Sequence, residues 1–238
     1  PEFVTKDVDN MLGYHIGLGE PEGFIGVGST NFLGVKKLLV KFFGKAAHAA
    51  NNPENGISAL NMALAFINLN RTLIEDSKKK RVMNIGIIHG GNALNIIMDE
   101  ITLGIDLRAI DNDVLDEMYE TILKTSRNIS ESVGGSSTVE IIGEAMGYVE
   151  EDGELTEKLS KNLRDAAFKT TINPNFGASE DVTKYILDVK ENGGKAIHLL
   201  FGADLAGSHH SSTFDFDDDN LEKYFNATLL TYESMLKN

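Results

Sequence analysis

The sequence contains no cysteine among its 238 residues. This absence excludes a disulfide framework, a cysteine-ligated metal site and a thiol nucleophile within the chain. No apolar run approaches the roughly 18 residues that a membrane-spanning helix needs, and no signal peptide opens the sequence. We therefore expect a cytoplasmic protein with no membrane partner.

Cationic residues are also scarce. The chain has 22 Lys and Arg against 36 Asp and Glu, which gives a net charge of −14. Binding to nucleic acid or to an anionic membrane requires clustered cations, so the composition argues against both partners. The sequence also lacks a phosphate-binding loop, a dinucleotide-binding fingerprint and the Gly-x-Ser-x-Gly turn of serine hydrolases. Its hydrophobic fraction of 42% is enough for a globular core, in one large domain or two small ones.

The centre of the sequence predicts a unit with the element order β-α-β-β-α-β. Alternating or β-branched segments predict strands at 35–43, 82–89, 101–109 and 137–142. The first helix opens near Asn55–Gly56, presents a broad apolar face to a sheet, and ends at the lysines 78–80. The second follows the cap pair Asp111–Asn112 and stops at Gly134–Gly135. This order is typical of a ferredoxin-like fold, with four antiparallel strands and two helices on one face.

The flanking segments have α/β character and are predicted to form one domain into which the central unit is inserted. Strands are predicted at 11–16, 23–28 and 195–201, and helices at about 153–169, 179–190 and 218–237. The predicted domains are thus 1–34 with 146–238, and 35–145. These predicted strands are fewer than an α/β sheet usually contains. Because the chain also begins with Pro1 rather than Met, we expect part of the flanking domain to lie upstream.

Several histidines lie at strand ends, where α/β folds place their ligands. His15 ends a short apolar segment, and His209 and His210 follow the strand at 195–201. Imidazole is a good ligand for a borderline metal ion, and carboxylates such as Asp215 complete such sites. On spacing alone, however, adjacent loop histidines are more often solvent-exposed side chains, and the acidic run after them caps the last helix.

The other candidate site residues can also be explained by a purely structural role. His48 lies between small residues directly after a strand, which suits either a helper role at a site or plain surface exposure. Ser179, followed by Glu180 and Asp181, has the pattern of an N-cap with acidic residues in the first helical turn. His198 lies inside a predicted strand and is expected to be packed, without a catalytic role.

Five segments together resemble metallopeptidase family 20, the aminoacylase, carboxypeptidase and aminobenzoyl-glutamate hydrolase group. They are GYHIGLGEPEG, FFGKAAHAANNPENGISALNMA, IIHGGNALNIIMDEITLGIDLR, GASEDVTKY and GADLAGSHHSSTFDFDDDNL. They cover almost the whole chain in the family's order and are most similar to the p-aminobenzoyl-glutamate hydrolase branch. The resemblance implies a partial α/β metallohydrolase catalytic domain with an inserted ferredoxin-like lid and dimerisation domain.

The resemblance also implies a metal centre. His15 and His210 match histidines that bind two adjacent divalent ions, zinc or manganese, and His209 is the less favoured of the adjacent pair. His48 matches a lid histidine that, in family dimers, reaches the partner's active site and stabilises the oxyanion. In such enzymes a metal-bound water, activated by a glutamate, attacks the amide carbonyl.

The substrate and partner follow from the same resemblance. Asn95 and Arg108 match lid positions that hold the substrate, often through its carboxylate, a task that suits a planar guanidinium. Ser179 and Glu180 match a loop near the substrate pocket. The implied substrate is an N-acyl or N-aroyl amino acid or a small peptide. The implied assembly is a homodimer, or a dimer of related subunits, formed through the lid.

The sequence departs from the family pattern in lacking two upstream motifs: the His-x-Cys-Gly-His-type segment that gives the first ligands, and the Glu-Glu pair that gives the general base. We therefore expect an N-terminally truncated amidohydrolase that is inactive by itself. One alternative is a non-catalytic dimerisation module. Another is a metal-binding module that uses His15, His209 and His210 with an acid such as Asp215.

Overall fold

The computed structural model describes residues 5–74 and 81–236, with the side chains of 71–74 left aside. The lysines at 78–80 and Pro1 fall outside these ranges. The chain divides into two compact units. We call residues up to Phe32 and from Tyr148 onward the flanking unit, and Leu33–Gly147 the inserted unit. None of the described helices is long and apolar enough to cross a membrane.

The described part of the chain contains eight strands and five α-helices. The strands are β1 (Asn10–Ile16), β2 (Phe24–Val27), β3 (Gly34–Phe43), β4 (Arg81–Gly90), β5 (Glu100–Ala109), β6 (Ser136–Ala145), β7 (Lys169–Ile172) and β8 (Lys195–Phe201). The helices are α1 (Ala59–Ile74), α2 (Asn112–Ser132), α3 (Gly153–Asp165), α4 (Val182–Glu191) and α5 (Asn220–Leu236).

The inserted unit is a four-stranded antiparallel sheet in the order β4-β5-β3-β6, with α1 and α2 packed against it. The alternating side chains of β5 are buried on the face that meets the helices, where Leu103 and Leu107 are fully covered. Asp111 caps α2 by accepting a hydrogen bond from the Asp113 N–H at 2.8 Å. The predicted β-α-β-β-α-β fold is confirmed.

The start of α1 differs from the prediction. A single 3-10 turn occupies Pro53–Asn55, and Gly56 is extended, so the α-helix begins only at Ala59. Ser58 Oγ accepts a hydrogen bond from the Asn61 N–H at 3.2 Å, as an N-cap does. The predicted broad apolar face is also only partly buried, because Leu60 and Leu64 remain exposed. A helix that lies on one side of a sheet covers one stripe, not two.

The flanking unit is a mixed sheet in the order β1-β8-β2-β7. β1 runs parallel to β8 and β2 parallel to β7, whereas β2 and β8 are antiparallel. Leu159 of α3 and Ala227 of α5 belong to the core on one face of the sheet, and Ile186 of α4 belongs to a second core. This arrangement confirms the α/β character predicted for the flanks.

Strand β7 was missed by the sequence prediction, which extended a helix to 169 and left a loop beyond it. Helix α3 ends at Asp165, because Ala167 adopts a left-handed φ of 67° that a helix cannot continue through. The next residues, Lys169–Ile172, pair with β2. Their β-branched run Thr-Thr-Ile was the available signal.

Candidate functional site

The candidate site of the flanking unit lies at the carboxyl ends of two parallel strands. His15 is next to last in β1 and is in register with Leu200 of β8. The loop that follows β8 carries His209. Because parallel strands end at the same edge of a sheet, the fold places both histidines there, as the sequence predicted for α/β ligands.

The geometry around His15 leaves one of its ring nitrogens available. His15 Nδ1 donates a hydrogen bond to the Ile16 carbonyl oxygen at 2.8 Å, since a carbonyl can only accept. In the neutral ring the lone pair therefore lies on Nε2, which is 3.7 Å from Glu180 Oε2. A histidine that ligates a metal is commonly fixed in this way by a backbone carbonyl on its other nitrogen.

His209, not His210, is the second histidine beside His15. The ring centroids of His15 and His209 are 5.2 Å apart, and His209 Nε2 is buried without a hydrogen-bond partner. His210 is exposed and has a left-handed φ of 65°. The structure thus brings to His15 the histidine that the sequence prediction favoured less, and the metal-binding role predicted for His210 stays a prediction. Burial and the neighbouring His15 lower the pKa of His209.

Ser179 and Glu180 occupy the segment before α4, and Glu180 lies beside His15. The N-cap interpretation of Ser179 is wrong, because α4 begins at Val182 and Asp181 stands at the cap position without a side-chain cap bond. Ser179 Oγ is instead buried with no partner. Burial, followed by the neighbouring Asp181, raises the pKa of Glu180. A carboxyl group with a raised pKa beside an imidazole is a pattern of functional sites.

Two further residues support His15, and sequence reasoning assigned neither of them a role at the site. Phe176 meets the His15 ring edge-on at 5.4 Å and the His198 ring at the same distance. His198 is fully buried, as predicted, and its Nδ1 lies 2.9 Å from Ser29 Oγ. Burial, and secondarily His15, lowers the pKa of His198 to about 3, so this ring stays neutral. The sequence carries no periodic signal for such an aromatic support.

The metal-binding capacity of this cluster is incomplete. Among residues 5–74 and 81–236, no group of three or more His, Asp or Glu side chains is arranged to hold a metal ion. The cluster offers a ring nitrogen of His15, the carboxylate of Glu180 and the unpartnered Nε2 of His209. These atoms are not arranged around a common metal position. They do not by themselves form a metal centre, and we derive no reaction step through a metal.

In the inserted unit, His48 and Asn95 are neighbours. His48 forms an isolated antiparallel bridge with Ile96, and the Ala49 N–H donates to the Asn95 carbonyl at 2.9 Å. His48 Nδ1 accepts hydrogen bonds from the N–H groups of Ala50 and Asn51, at 3.2 and 3.3 Å. The neutral ring must therefore carry its proton on Nε2. His48 offers an N–H donor, whereas His15 offers a lone pair.

Arg108 lies far from these two residues within the inserted unit. It stands near the end of β5, in register with Val35 and Val82, while His48 is connected to the segment before Glu100, where β5 begins. Eight residues of strand separate Glu100 from Arg108, which is about 26 Å at a rise of roughly 3.3 Å per residue. The fold therefore brings Asn95 to His48 but keeps Arg108 at the opposite end of the sheet.

Comparison with known proteins shows what the chain is similar to. Residues 33–133 match the family model described as a peptidase dimerisation domain. The chain is 29% identical over 220 residues to a Haemophilus influenzae homolog of one of the subunits of p-aminobenzoyl-glutamate hydrolase, covering 92% of this chain and 52% of the relative. It is also 29% identical to an indole-3-acetyl-aspartic acid hydrolase of Enterobacter agglomerans, covering 91% of this chain and 50% of that protein. The chain thus spans about half the length of these curated relatives.

Solved structures share the fold. An aminobenzoyl-glutamate utilization protein from Klebsiella pneumoniae superposes with a TM-score of 0.78 at 22% identity, over 98% of this chain and 55% of the other. A Bacillus subtilis protein described as a dinuclear metal-binding peptidase of family M20 superposes with a TM-score of 0.65 at 16% identity, over 96% of this chain and 57% of the other. The resemblance inferred from the sequence is confirmed.

Proposed function

We propose that this chain, which carries the dimerisation domain of metallopeptidase family 20, is part of a metal-dependent amidohydrolase. Its substrates are N-acyl or N-aroyl amino acids of the aminobenzoyl-glutamate type, or small peptides. The observation that carries the proposal is the cluster of His15, Glu180 and His209 at the strand ends. Because this ligand set is incomplete, the proposal assigns the remaining ligands of two zinc or manganese ions, and the general base, to parts of the protein outside this chain.

His48 is proposed to stabilise the oxyanion that forms when the amide carbonyl is attacked. The two backbone N–H groups on its Nδ1 fix the tautomer with the proton on Nε2. A donor that is already oriented costs no reorganisation when charge develops on the carbonyl oxygen. Asn95, held beside His48 through the Ala49 hydrogen bond, is proposed to bind the substrate.

We infer that the substrate is contacted by two copies of the chain. Arg108 and His48 of one copy are separated by more than the length of an N-acyl amino acid, because about 26 Å of strand lies between their ends of the sheet. If both residues contact one substrate molecule, they belong to different protomers. A homodimer formed through the inserted unit meets this requirement, and the match to a dimerisation domain supports it.

The test is hydrolysis of p-aminobenzoyl-glutamate by the full-length protein loaded with zinc or manganese. We expect His15→Ala to lower kcat/KM by about a hundredfold or more, because it removes a ligand nitrogen. The matched control is His89→Ala, since His89 is an exposed strand residue outside the cluster. Equal activity of His15→Ala and the unsubstituted protein would contradict the proposed site.

A second candidate function is a non-catalytic dimerisation module. It is favoured by the separate hydrophobic core of the inserted unit, which includes Leu38, Phe42 and Phe66. This candidate predicts that the 238-residue chain is dimeric in sedimentation experiments and that no form of the protein hydrolyses an N-acyl amino acid. Metal-dependent hydrolysis by the full-length protein eliminates it.

A further inference from the structure

We propose that Gly44 and Gly56 are positioning residues for His48, because the loop that carries His48 closes only where these two positions have no side chain. The inference rests on the proposed function, which gives the His48 N–H its role at the oxyanion. We call residues 45–57 the His48 loop. The two glycines lie at its ends and touch neither the substrate nor the reacting atoms themselves.

The two ends of the His48 loop are bonded to each other, and we call this pair of residues the neck. The Lys45 N–H donates to the Ile57 carbonyl oxygen at 2.9 Å, and the Ile57 N–H donates to the Lys45 carbonyl oxygen at the same distance. Gly44 lies directly against the neck, where a Cβ atom would overlap the Ile57 carbonyl oxygen. Because that oxygen belongs to the backbone, no rotamer change makes room, and a side chain at position 44 would open the neck.

A second connection joins the His48 loop to the segment that carries Asn95. Besides the hydrogen bond from Ala49 to Asn95, the Ile97 N–H donates to the Ala47 carbonyl oxygen at 2.9 Å. Gly56 lies at this connection, where a Cβ atom would stand 2.6 Å from Ile97 Cδ1 and 3.1 Å from Ala47 Cβ. Both distances are shorter than ordinary carbon–carbon contacts. A side chain at Gly56 would therefore push Ile97 away from Ala47.

The two glycines are required for space and not for backbone conformation. Gly56 is extended, with φ −94° and ψ 153°, which any residue can adopt. Gly44 is not among the glycines with a positive φ. An alanine at either position therefore tests the packing of the His48 loop alone. The two sites differ in degree, because position 44 meets backbone, whereas position 56 meets the end of the Ile97 side chain, which can be shortened.

This packing fixes the direction in which His48 donates its N–H. The N–H groups of Ala50 and Asn51, which bind His48 Nδ1, belong to the same loop, so a shift of the loop moves them together with the ring. An oxyanion donor displaced by about 1 Å loses much of its stabilisation of the transition state. The ground-state substrate has no such charge on its carbonyl oxygen, so its binding changes little. We therefore expect kcat to fall while KM is nearly retained.

The first measurement is steady-state hydrolysis of p-aminobenzoyl-glutamate by variants of the full-length protein. We expect Gly44→Ala to lower kcat about a hundredfold and Gly56→Ala about tenfold, with KM changed less than about threefold. Ile97→Val removes the Cδ1 atom that a side chain at position 56 would meet, so adding it to Gly56→Ala should restore most of the lost kcat. The control is Gly143→Ala, because a Cβ atom there would make only an ordinary contact, 3.7 Å from the Lys37 side chain.

The second measurement needs no enzymatic activity. NMR of the imidazole nitrogens in the 238-residue chain, at a pH where the ring is neutral, distinguishes the protonated nitrogen from the unprotonated one. We expect the unsubstituted chain and Gly143→Ala to carry the His48 proton on Nε2 alone, and Gly44→Ala to show both tautomers. A chain that is only less stable keeps the single tautomer in its folded molecules, so this signal separates positioning of His48 from a general loss of stability.

Several outcomes would overturn the inference. One is a single His48 tautomer in folded Gly44→Ala, and another is a kcat of Gly44→Ala equal to that of Gly143→Ala. If Gly44→Ala does not fold, Gly56→Ala decides: a kcat that stays low after Ile97→Val is added would show that the contact with Ile97 does not position His48. The proposed function fails separately. If no form of the full-length protein hydrolyses the substrate, the function is refuted, and the tautomer signal still shows whether the glycines hold the ring.

Discussion

Arg108 is held by Asp106, two residues earlier on the same strand. Arg108 Nε lies 2.8 Å from Asp106 Oδ1, and Arg108 Nη2 lies 3.3 Å from Asp106 Oδ2. Residues two apart in a strand lie on the same face, which brings the guanidinium over the carboxylate. This bond and charge raise the pKa of Arg108. The pair fixes the plane of the guanidinium while its remaining N–H groups are left for another carboxylate.

A substitution that keeps the positive charge of Arg108 but removes its planar guanidinium separates the effect of charge from that of geometry. We expect Arg108→Lys in the full-length protein to raise KM for an N-acyl amino acid about tenfold with kcat changed little, since a single ammonium cannot replace a two-point contact. Steady-state kinetics measures both constants. The control is Asp106→Asn, which loosens the guanidinium but retains it and should have a smaller effect on KM. An unchanged KM in Arg108→Lys would make the residue purely structural.

If the substrate is contacted by two copies of the chain, mixing two inactive variants should restore activity. His48→Ala and Arg108→Ala should each be nearly inactive, but a hybrid dimer of the two contains one site with both side chains intact. Protomers mixed in equal amounts and reassociated should regain about one quarter of the unsubstituted activity, because half of the dimers are hybrids and each has one complete site. Activity that stays at the level of the separate variants would place His48 and Arg108 in the same protomer's site.

Lys190 neutralises a buried carboxylate in the flanking unit. Its Nζ lies 2.6 Å from Glu150 Oε1 and 2.7 Å from the Tyr148 hydroxyl, and the Glu150 side chain is only 1% exposed. Burial and Glu150 also raise the pKa of Tyr148, which stays protonated and donates to Glu150. We expect Lys190→Met to lower the free energy of unfolding by roughly 3 kcal/mol, because it leaves a buried charge without its partner.

Hydrogen exchange of the α4 amides would measure this loss within the flanking unit. The control is Lys161→Met, which removes an exposed ion pair with Asp165 at 2.6 Å. That change should cost less than about 1 kcal/mol, as exposed pairs do. If both variants lose the same stability, the buried network contributes no more than a surface pair.

The stability of the flanking unit should fall in acid because of His198. Its folded pKa of about 3 lies below the ordinary histidine value of 6.5. The unfolded chain then binds the proton that the folded chain excludes, so stability is fully present above about pH 6.5 and is lost as the pH falls toward 3. By about pH 5 the loss should approach roughly 2 kcal/mol.

This pH dependence can be isolated with His198→Gln, which cannot titrate. Amide exchange in β8, corrected for its intrinsic rate, should show that the unsubstituted chain loses more stability between about pH 7 and about pH 5 than the variant. His15, whose ring lies across Phe176 from His198, remains in both proteins and does not distinguish them. Identical pH profiles of the two proteins would show that protonation of His198 does not lower the stability of the flanking unit.

Much of the fold could be predicted because it follows from short-range patterns. Alternation marked β3 and β5, and the Asp111–Asn112 pair marked the start of α2. Prediction failed where the conformation of a few residues depends on contacts with residues distant in the sequence. Strand β7 has only four residues and exists through its pairing with β2. The site roles predicted for these residues remain predictions that rest on the family resemblance: His15, His48, Asn95, Arg108, Ser179, Glu180 and His210.

Local patterns were enough to predict most of the element order, the ferredoxin-like inserted unit and the resemblance to metallopeptidase family 20, since hydrophobic period, caps and motifs are properties of residues close together in the sequence. The three-dimensional fold was needed to show that the ring of His209 lies beside His15, and that His48 and Arg108 stand at opposite ends of one sheet. The first depends on the path of the loop that follows β8 and the second on strand register. Both are set by long-range packing, which no local pattern contains.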